Sequence, residues 1–291
     1  MEPFGRQSME GVTKATIKAT ADDLTQMIRK ASLKPGSPDP IHFEVYLSVQ
    51  EDQIDILASK RNNAILSYST FGGNFFDSIT VNQNVLTVDN NRKAETIVNV
   101  TDFLKYLTRA QDNSNSTVEM ALLGEEDDRL CHALQFHGTI QTQIMLPASE
   151  SNLKQIPLAA VKRFDENTNS FLNSDNESLP ATIDTDVREI QRIIDIVDNR
   201  YDIDLFPIII QDSELYVNID TEEVAPNPWG TLNTERVVGP DLSNKYKKGF
   251  EEVFKTLSGI VRLETGPSMP LCILRQGDNQ VIRHVLAPVE E

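Results

Sequence analysis

The sequence predicts an α+β chain of two similar domains, each combining two helices with antiparallel strands. One observation is an internal repeat: ATIKATADDLTQMIRKA, from Ala15, aligns without a gap with ATIDTDVREIQRIIDIV, from Ala181, and the apolar positions coincide. A second is that the two halves end alike, since RLCHALQFHGTIQTQIMLP matches PLCILRQGDNQVIRHVLAP. Agreement at the start and the end, with helices in matching places, predicts a duplicated unit.

In the first half, period-two alternation and β-branched residues predict a strand TKATIKAT, and apolar residues at helical spacing predict a helix from Ala21 to about Leu33. Strands are then predicted at HFEVYLSV, QIDILAS and AILSYST and, after FFDSITV, near ETIVNV. Thr101 is the predicted N-cap of a second helix, DFLKYLTRA. Strands STVEMALL, RLCHALQF and TIQTQIML close this half.

The second half repeats the order, with strand ATIDT, a helix from Asp186 to about Asn199, and strands LFPIIIQ and ELYVNID. A strand near TLNTERVV, a helix KKGFEEVFKTL and strands IVRLET, MPLCILRQ and QVIRHVLAP follow. We therefore expect domains at 12–146 and 180–291, an N-terminal extension at 1–11 and a linker at 147–179. A linker this long is expected either to pack on the adjoining sheet or to form an ordered strap within a docking site.

The composition restricts the function classes. The chain of 291 residues has a net charge of −17, which taken alone argues against nucleic-acid binding, because Lys and Arg neutralise phosphates. No stretch reaches the ~20 continuous apolar residues of a membrane helix, and the N-terminus lacks an apolar signal core, so a cytoplasmic protein is expected. Cys131 and Cys272 lie in apolar strand-like runs and are expected to be buried thiols.

All four predicted helices carry basic residues away from their apolar stripes. In the first, the stripe from Leu24 to Ala31 has i, i+3, i+4, i+7 spacing, and Arg29 and Lys30 fall on the other side. One such face is usually only solvated, but four in an acidic chain could form one surface for a phosphate backbone, without base reading. The predicted DNA-contacting residues are Arg29, Lys30, Lys105, Arg109, Arg188, Arg192, Lys245, Lys247, Lys248 and Lys255.

No catalytic motif is present. The sequence lacks GxxxxGK[ST], GxGxxG, GxSxG and HExxH. His132 and His137 near Cys131 have no second Cys/His pair, so no metal site is predicted. The acidic pairs Asp184/Asp186 and Asp202/Asp204 could hold Mg²⁺, but capping and turn roles are expected for them.

Several segments resemble the sliding-clamp family of archaea and eukaryotes, proliferating cell nuclear antigen (PCNA). They are LSYSTF…FFDSITV, TDFLKYLTRA, LKQIP and MPLCIL…VLAPVEE, in matching order from about Val12 to Glu291. The resemblance implies the DNA-clamp fold: a homotrimeric ring whose helices line a hole around duplex DNA and whose sheets form the outside. It implies a processivity factor without catalysis or cofactor, which tethers DNA polymerase, a clamp loader and other replication proteins, in the nucleoid of a prokaryote or the nucleus of a eukaryote.

The resemblance also implies two protein-binding surfaces. Partner proteins are expected in an apolar pocket beneath the linker, formed by Leu153, Ile156, Pro157, Pro270, Leu286, Ala287 and Pro288. Subunits are expected to join through edge strands at Thr139, Gln141 and Gln143 in the first half and at Thr231, Asn233, Glu235 and Val237 in the second.

The chain departs from the family pattern in a longer linker, with RFDENTNSFLNSDNES as an apparent insertion, and in residues 222–239, which include Trp229. Two alternatives stay open within the family: a subunit of a heterotrimeric clamp, and a monomeric clamp-like polymerase accessory factor. A metal-dependent hydrolase that uses carboxylate pairs is the alternative from another class.

Overall fold

In the described residues, each half contains strands and two helices in a repeated order. The computed structural model describes residues 11–33, 44–59, 65–82, 93–125, 130–146, 163–165, 167–198, 205–217, 232, 234–247 and 251–289. The first half contains β1 (Val12–Thr20), α1 (Ala21–Ser32), β2 (Glu44–Val49), β3 (Gln53–Ser59), β4 (Ile65–Gly72), a 3-10 turn (Gly73–Phe75), β5 (Ser78–Val81), β6 (Ala94–Asn99), α2 (Val100–Ala110), β7 (Thr117–Gly124), β8 (Cys131–His137) and β9 (Gln141–Met145).

The second half follows the same plan. It contains β10 (Ala181–Asp186), α3 (Val187–Asp198), β11 (Leu205–Gln211), β12 (Glu214–Val217), β13 (Thr234–Val238), β14 (Leu242–Lys247), α4 (Glu251–Lys255), β15 (Ile260–Thr265), β16 (Leu271–Gln276) and β17 (Gln280–Leu286). No helix in the described ranges is long and apolar enough to cross a membrane.

The sheet topology repeats the internal duplication. In the first half five strands pair in the order β5-β1-β7-β8-β9, and in the second half β13-β10-β15-β16-β17 pair in the corresponding order. The series β3-β2-β6 likewise corresponds to β12-β11-β14. No described strand of the second half corresponds to β4, and residues 218–231 and 233, between β12 and β13, lie outside the described residues.

A seam between β17 and β4 joins the halves into one nine-stranded antiparallel sheet. The pairing runs from Gln280 opposite Phe71 to Leu286 opposite Ile65. On its buried side, Ser67 Oγ and His284 Nδ1 lie 2.8 Å apart. The sheet therefore continues across the domain boundary instead of ending at an exposed edge there.

Each half has its own apolar core on the helix side of the sheets. The core of the first half includes the stripe of α1, Phe103 and Leu107 of α2, and inward residues of β1 to β8. The core of the second half includes Ile190, Phe254 and inward residues of β10 to β17. Cys131 and Cys272 are buried and neither forms a disulfide, which confirms that prediction.

The prediction is wrong at β14. It has no strand over Leu242–Lys247 and begins a helix at Lys247 instead. The strand alternates in the expected way, with Leu242, Asn244 and Tyr246 buried. Asn244 obscures the alternation because it is polar, yet its side-chain amide donates to the Gly266 carbonyl oxygen at 2.8 Å. A buried amide is tolerated when it is hydrogen-bonded in this way.

The predicted N-cap of α2 is also wrong. The helix begins at Val100, so Asn99 occupies the cap position and its Oδ1 accepts a hydrogen bond from the Asp102 amide at 3.1 Å. Thr101 lies inside the first turn. Either residue type can cap a helix, so composition did not distinguish them.

Candidate nucleic-acid and protein interfaces

Helix α1 presents Arg29 to solvent and holds Lys30 partly buried. Thr20 caps the start of the helix, and its hydroxyl oxygen accepts a hydrogen bond from the Asp23 amide at 3.1 Å. Lys30 Nζ donates to Gln280 Oε1 at 3.1 Å. Burial, assisted by the nearby charge of Arg275, lowers the pKa of Lys30.

Arg275 in β16 is a cation that the sequence prediction omits. Its charge acts on Lys30 although it is 245 positions further along the chain. Lys30 itself contacts Gln280, the first residue of β17. Helical periodicity could not have found it, because it belongs to a strand. Its Nε donates to the Ser258 carbonyl oxygen at 2.7 Å.

Helix α2 carries two exposed cations that both contact one aromatic ring. Lys105 Nζ lies 5.7 Å and Arg109 Cζ 5.6 Å from the centroid of the Tyr106 ring. Both contacts are within the usual range of a cation–π interaction, which orders long side chains without neutralising them. Because α1 packs against α2, the predicted cations of both helices belong to one helix pair.

Helices α3 and α4 form the corresponding pair in the second half. Arg188 Nη2 lies 2.6 Å from Asp186 Oδ2, and Arg192 Nη2 lies 3.1 Å from Glu189 Oε2. The hydrogen bonds with Arg188 lower the pKa of Asp186 and raise that of Arg188. These ion pairs are exposed, so they screen the two cations but add little stability.

The remaining predicted cations occupy different places. Lys255 is exposed on α4. Lys245 and Lys247 lie in β14, where Lys245 is opposite Pro207 of β11, so they do not extend a helix face. Lys248 is outside the described residues.

The helices are nearly neutral overall. In α1 two aspartates accompany two cations, and α2 has two cations and one aspartate. Helix α3 has two cations and three carboxylates, and α4 has one cation and two carboxylates. The net charge of the chain is −17, so the four helices are much less acidic than the rest of the chain, but they are not strongly positive. Contacts with a phosphate backbone would be weak and salt-sensitive.

The C-terminal tail divides between the core and the surface. Leu286 is 2% exposed and packs in the second core, so it cannot contact a partner as predicted. Ala287 is exposed, and Pro270 and Pro288 are partly exposed. The Val289 amide donates to the Lys245 carbonyl oxygen at 2.8 Å, which fixes the tail against β14. Leu153, Ile156 and Pro157 lie outside the described residues.

The predicted subunit edges lie on two sheets. Strand β9 is the last strand of the five-stranded sheet and pairs with β8. There Gln141 is exposed and Gln143 partly exposed, Thr139 Oγ1 donates to Asp112 Oδ2 at 2.9 Å, and the neighbours Ile140 and Met145 are 61% and 54% exposed.

Strand β13 is the first strand of the nine-stranded sheet and pairs with β10. Glu235 is exposed, whereas Val237 packs against the second core. Thr231 and Asn233 are outside the described residues.

One of the two acidic pairs considered for metal binding, Asp184 and Asp186, is engaged by arginines. Asp184 Oδ1 accepts from Arg262 Nε at 3.1 Å, and Asp186 pairs with Arg188. Asp202 and Asp204 lie outside the described residues. Within the described ranges, no three His, Cys, Asp or Glu side chains are placed to hold a metal ion.

Comparisons with known proteins identify the fold. No protein-family model matches the chain, and no curated protein sequence matches it. Among solved structures, A. fulgidus PCNA with the C-terminal region of FEN-1 bound has 14% sequence identity and a TM-score of 0.69, over 95% of this chain and 99% of that one. PCNA from Entamoeba histolytica has 13% identity and a TM-score of 0.68, over 96% of this chain and 100% of that one. The chain has the PCNA sliding-clamp fold.

A heteromeric clamp shares this fold. The PCNA2–PCNA3 complex from Sulfolobus tokodaii has 15% identity and a TM-score of 0.62, over 95% of this chain and 100% of that one. The clamp fold thus extends over both halves, including the seam. The prediction of an α+β clamp with two similar domains is confirmed.

Proposed function

We propose that this protein is a sliding clamp: a ring that encircles duplex DNA and tethers a polymerase and other replication and repair proteins to it. The observation that carries the proposal is the duplicated topology, which matches PCNA clamps over nearly the whole chain. The clamp role is not catalytic.

The nearly neutral charge of the helices favours a ring that stays on DNA by encircling it over a protein that binds DNA tightly. A ring remains on DNA because it is closed around it, so its inner surface needs only contacts that permit sliding. The nearly neutral helices would provide such contacts, with Arg29, Lys105 and Arg109 as exposed cations that position a phosphate backbone without reading sequence. A protein that holds DNA by charge alone would need a more basic surface.

We propose that three copies close the ring through the edge of β9 that no described strand covers, at Thr139, Gln141 and Gln143. Within one chain, β17 joins β4. Because β9 corresponds to β17, the same joint between chains would pair β9 with a second-half counterpart of β4, for which the described residues contain no strand. Of the predicted residues, Glu235 and Val237 belong to β13, which corresponds to β5, and Thr231 and Asn233 are outside the described residues. Exposed Ile140 and Met145 beside this edge also favour an interface.

We further propose that replication proteins dock at the surface formed by Pro270, Ala287, Pro288 and the linker residues Leu153, Ile156 and Pro157. The A. fulgidus structure shows a PCNA with the C-terminal region of another protein bound. A heteromeric ring is the second candidate, favoured by the PCNA2–PCNA3 complex.

A threading experiment tests directly whether the protein stays on DNA because it encircles the duplex. Linear duplex DNA is fixed to a bead at one end and carries biotin at the free end. The protein is added at low salt, streptavidin is then added to half of the sample, and both halves are washed in molar salt. We expect retention only where streptavidin blocks the end. Equal loss from both samples would contradict a self-sufficient ring and favour a subunit that needs partners.

A further inference from the structure

The apparent insertion in the linker forms an ordered hairpin on the outer face of the seam. Phe164 bridges Phe171, and Leu172 bridges Ser178, in antiparallel fashion. The Asp165 amide donates to the Ser170 carbonyl oxygen at 2.9 Å, and the Leu172 amide to that of Arg163 at 2.8 Å. The described residues of 163–180, here called the hairpin, therefore have regular backbone pairing of their own.

The hairpin packs on the sheet face opposite the helices. Strands β4 and β17 alternate between inward residues and residues on the face toward the hairpin. The latter are Leu66, Tyr68 and Val285, which belong to one apolar cluster with hairpin residues. This outer cluster contains Tyr46, Leu57, Leu66 and Tyr68 from the first half, Met269, Cys272 and Val285 from the second, and Phe164, Phe171 and Leu179 from the hairpin. The hairpin thus contacts both halves at once.

Arg283 lies at the centre of this contact. It is opposite Tyr68 in the seam and only 8% exposed. Its guanidinium carbon lies 4.3 Å from the Phe164 ring centroid and 5.5 Å from that of Tyr68, and its Nη2 donates to Asn169 Oδ1. The Phe164 and Tyr68 rings stack with centroids 5.8 Å apart and planes 8° apart.

A second attachment lies on β15. The Phe171 amide donates to Glu264 Oε2 at 2.7 Å, and the Phe171 ring meets Phe164 edge-on with centroids 5.7 Å apart. The hairpin is therefore held by Glu264 and Arg283 of the second half and by Tyr68 of the first. Separating β4 from β17 would break the Phe164 stack or expose the guanidinium, so these contacts favour the closed seam.

We propose that the hairpin is a clip that holds the two halves together across the β4–β17 seam, and that Arg283 is the residue it grips. The clip goes beyond the clamp function and does not depend on it, since its contacts lie within one chain. In a ring, it would fix the angle between domains on which closure depends.

Hydrogen–deuterium exchange with peptide-level mass spectrometry tests the clip in the full chain without DNA. Phe164→Ala with Phe171→Ala should speed amide exchange in β4 and β17 roughly tenfold, while β7 and β8 of the five-stranded sheet keep their protection. Asp175→Asn, an exposed change in the same hairpin, is the matched control and should leave the seam unchanged. Unchanged seam exchange in the double variant, with faster exchange in the hairpin itself, would show a passive cover and overturn the proposal.

A double-mutant cycle tests the role of Arg283. Phe164→Leu and Arg283→Met keep apolar volume, so both variants should fold. If Phe164 stabilises the seam through its contact with Arg283, each single substitution should reduce the amide protection of β4 and β17. The loss in the combined variant should then be clearly smaller than the sum of the two single losses. Additive losses would overturn the role given to Arg283. Because no measurement involves DNA or ring mass, failure of the clip would leave the clamp function untouched.

Discussion

At the scale of single residues, Asn99 shows how a cap decides where a helix begins. Its side chain satisfies the Asp102 amide, which otherwise has no helical partner. Asn99→Ala should lower the free energy of unfolding by about 1 kcal/mol, measured by urea denaturation at fixed protein concentration. Thr101→Ala, at the position the sequence predicted as the cap, is the control and should change stability little. Equal losses would contradict the assignment.

Glu264 should make stability depend on pH. It is 3% exposed, and burial raises its pKa above the ordinary 4.5. Since the folded protein then binds more protons than the unfolded chain, this contribution is complete below the unfolded pKa and is lost as the pH rises through the folded-state pKa. Glu264→Gln keeps an oxygen acceptor for the Phe171 amide but does not titrate.

The measurement is urea unfolding of both proteins from about pH 4 to about pH 8. The parent chain should lose stability relative to Glu264→Gln as the pH rises. A difference that stays constant across this range would show that the carboxyl group does not titrate as inferred.

At the scale of elements, α2 provides the clearest test of DNA contact, because Lys105 and Arg109 have no carboxylate partner among the described residues. Lys105→Ala with Arg109→Ala should weaken duplex binding and reduce the slope of log affinity against log salt by up to about 2. Fluorescence anisotropy with duplexes of two unrelated sequences should give equal losses. Arg163→Ala, on the outer hairpin, removes a charge from the opposite face and should leave the slope unchanged.

Strand β9 is the element on which assembly is expected to depend. Ile140→Lys with Met145→Lys puts two charges on the β9 side of each joint, where the parent chain offers apolar side chains, so the oligomer should dissociate while the circular dichroism spectrum is retained. Light scattering after size exclusion gives the mass. Ile260→Lys, another exposed apolar site, is the control. An unchanged mass in the double variant would exclude this edge from the interface.

At the scale of the whole molecule, the fold predicts a defined assembly. The chain has a mass of 32.6 kDa, and a closed homotrimer should give three times this value at low salt and in molar salt. An interface made by strand pairing and apolar contact should resist salt, unlike one made by charge. A monomer at every salt would contradict the homotrimer and point to partner subunits.

The sequence by itself determined the features that depend on local periodicity. The helix stripes, most strands, the buried cysteines and the duplication were all legible, because a core-facing position repeats every 3.6 residues in a helix and every two in a strand. The end of α1 near Leu33 and the start of α3 near Asp186 were predicted within one residue for the same reason.

The tertiary structure alone decided what depends on contacts between distant segments. The β4–β17 seam, the burial of Leu286 and the contacts of the hairpin with Arg283 each depend on which strands pair and which way they face. Strand β14 belongs here too, since Asn244 counts as a core residue only once Gly266 lies opposite its amide. A polar side chain can occupy a core position when a partner far along the chain satisfies it, and no local pattern records that partner.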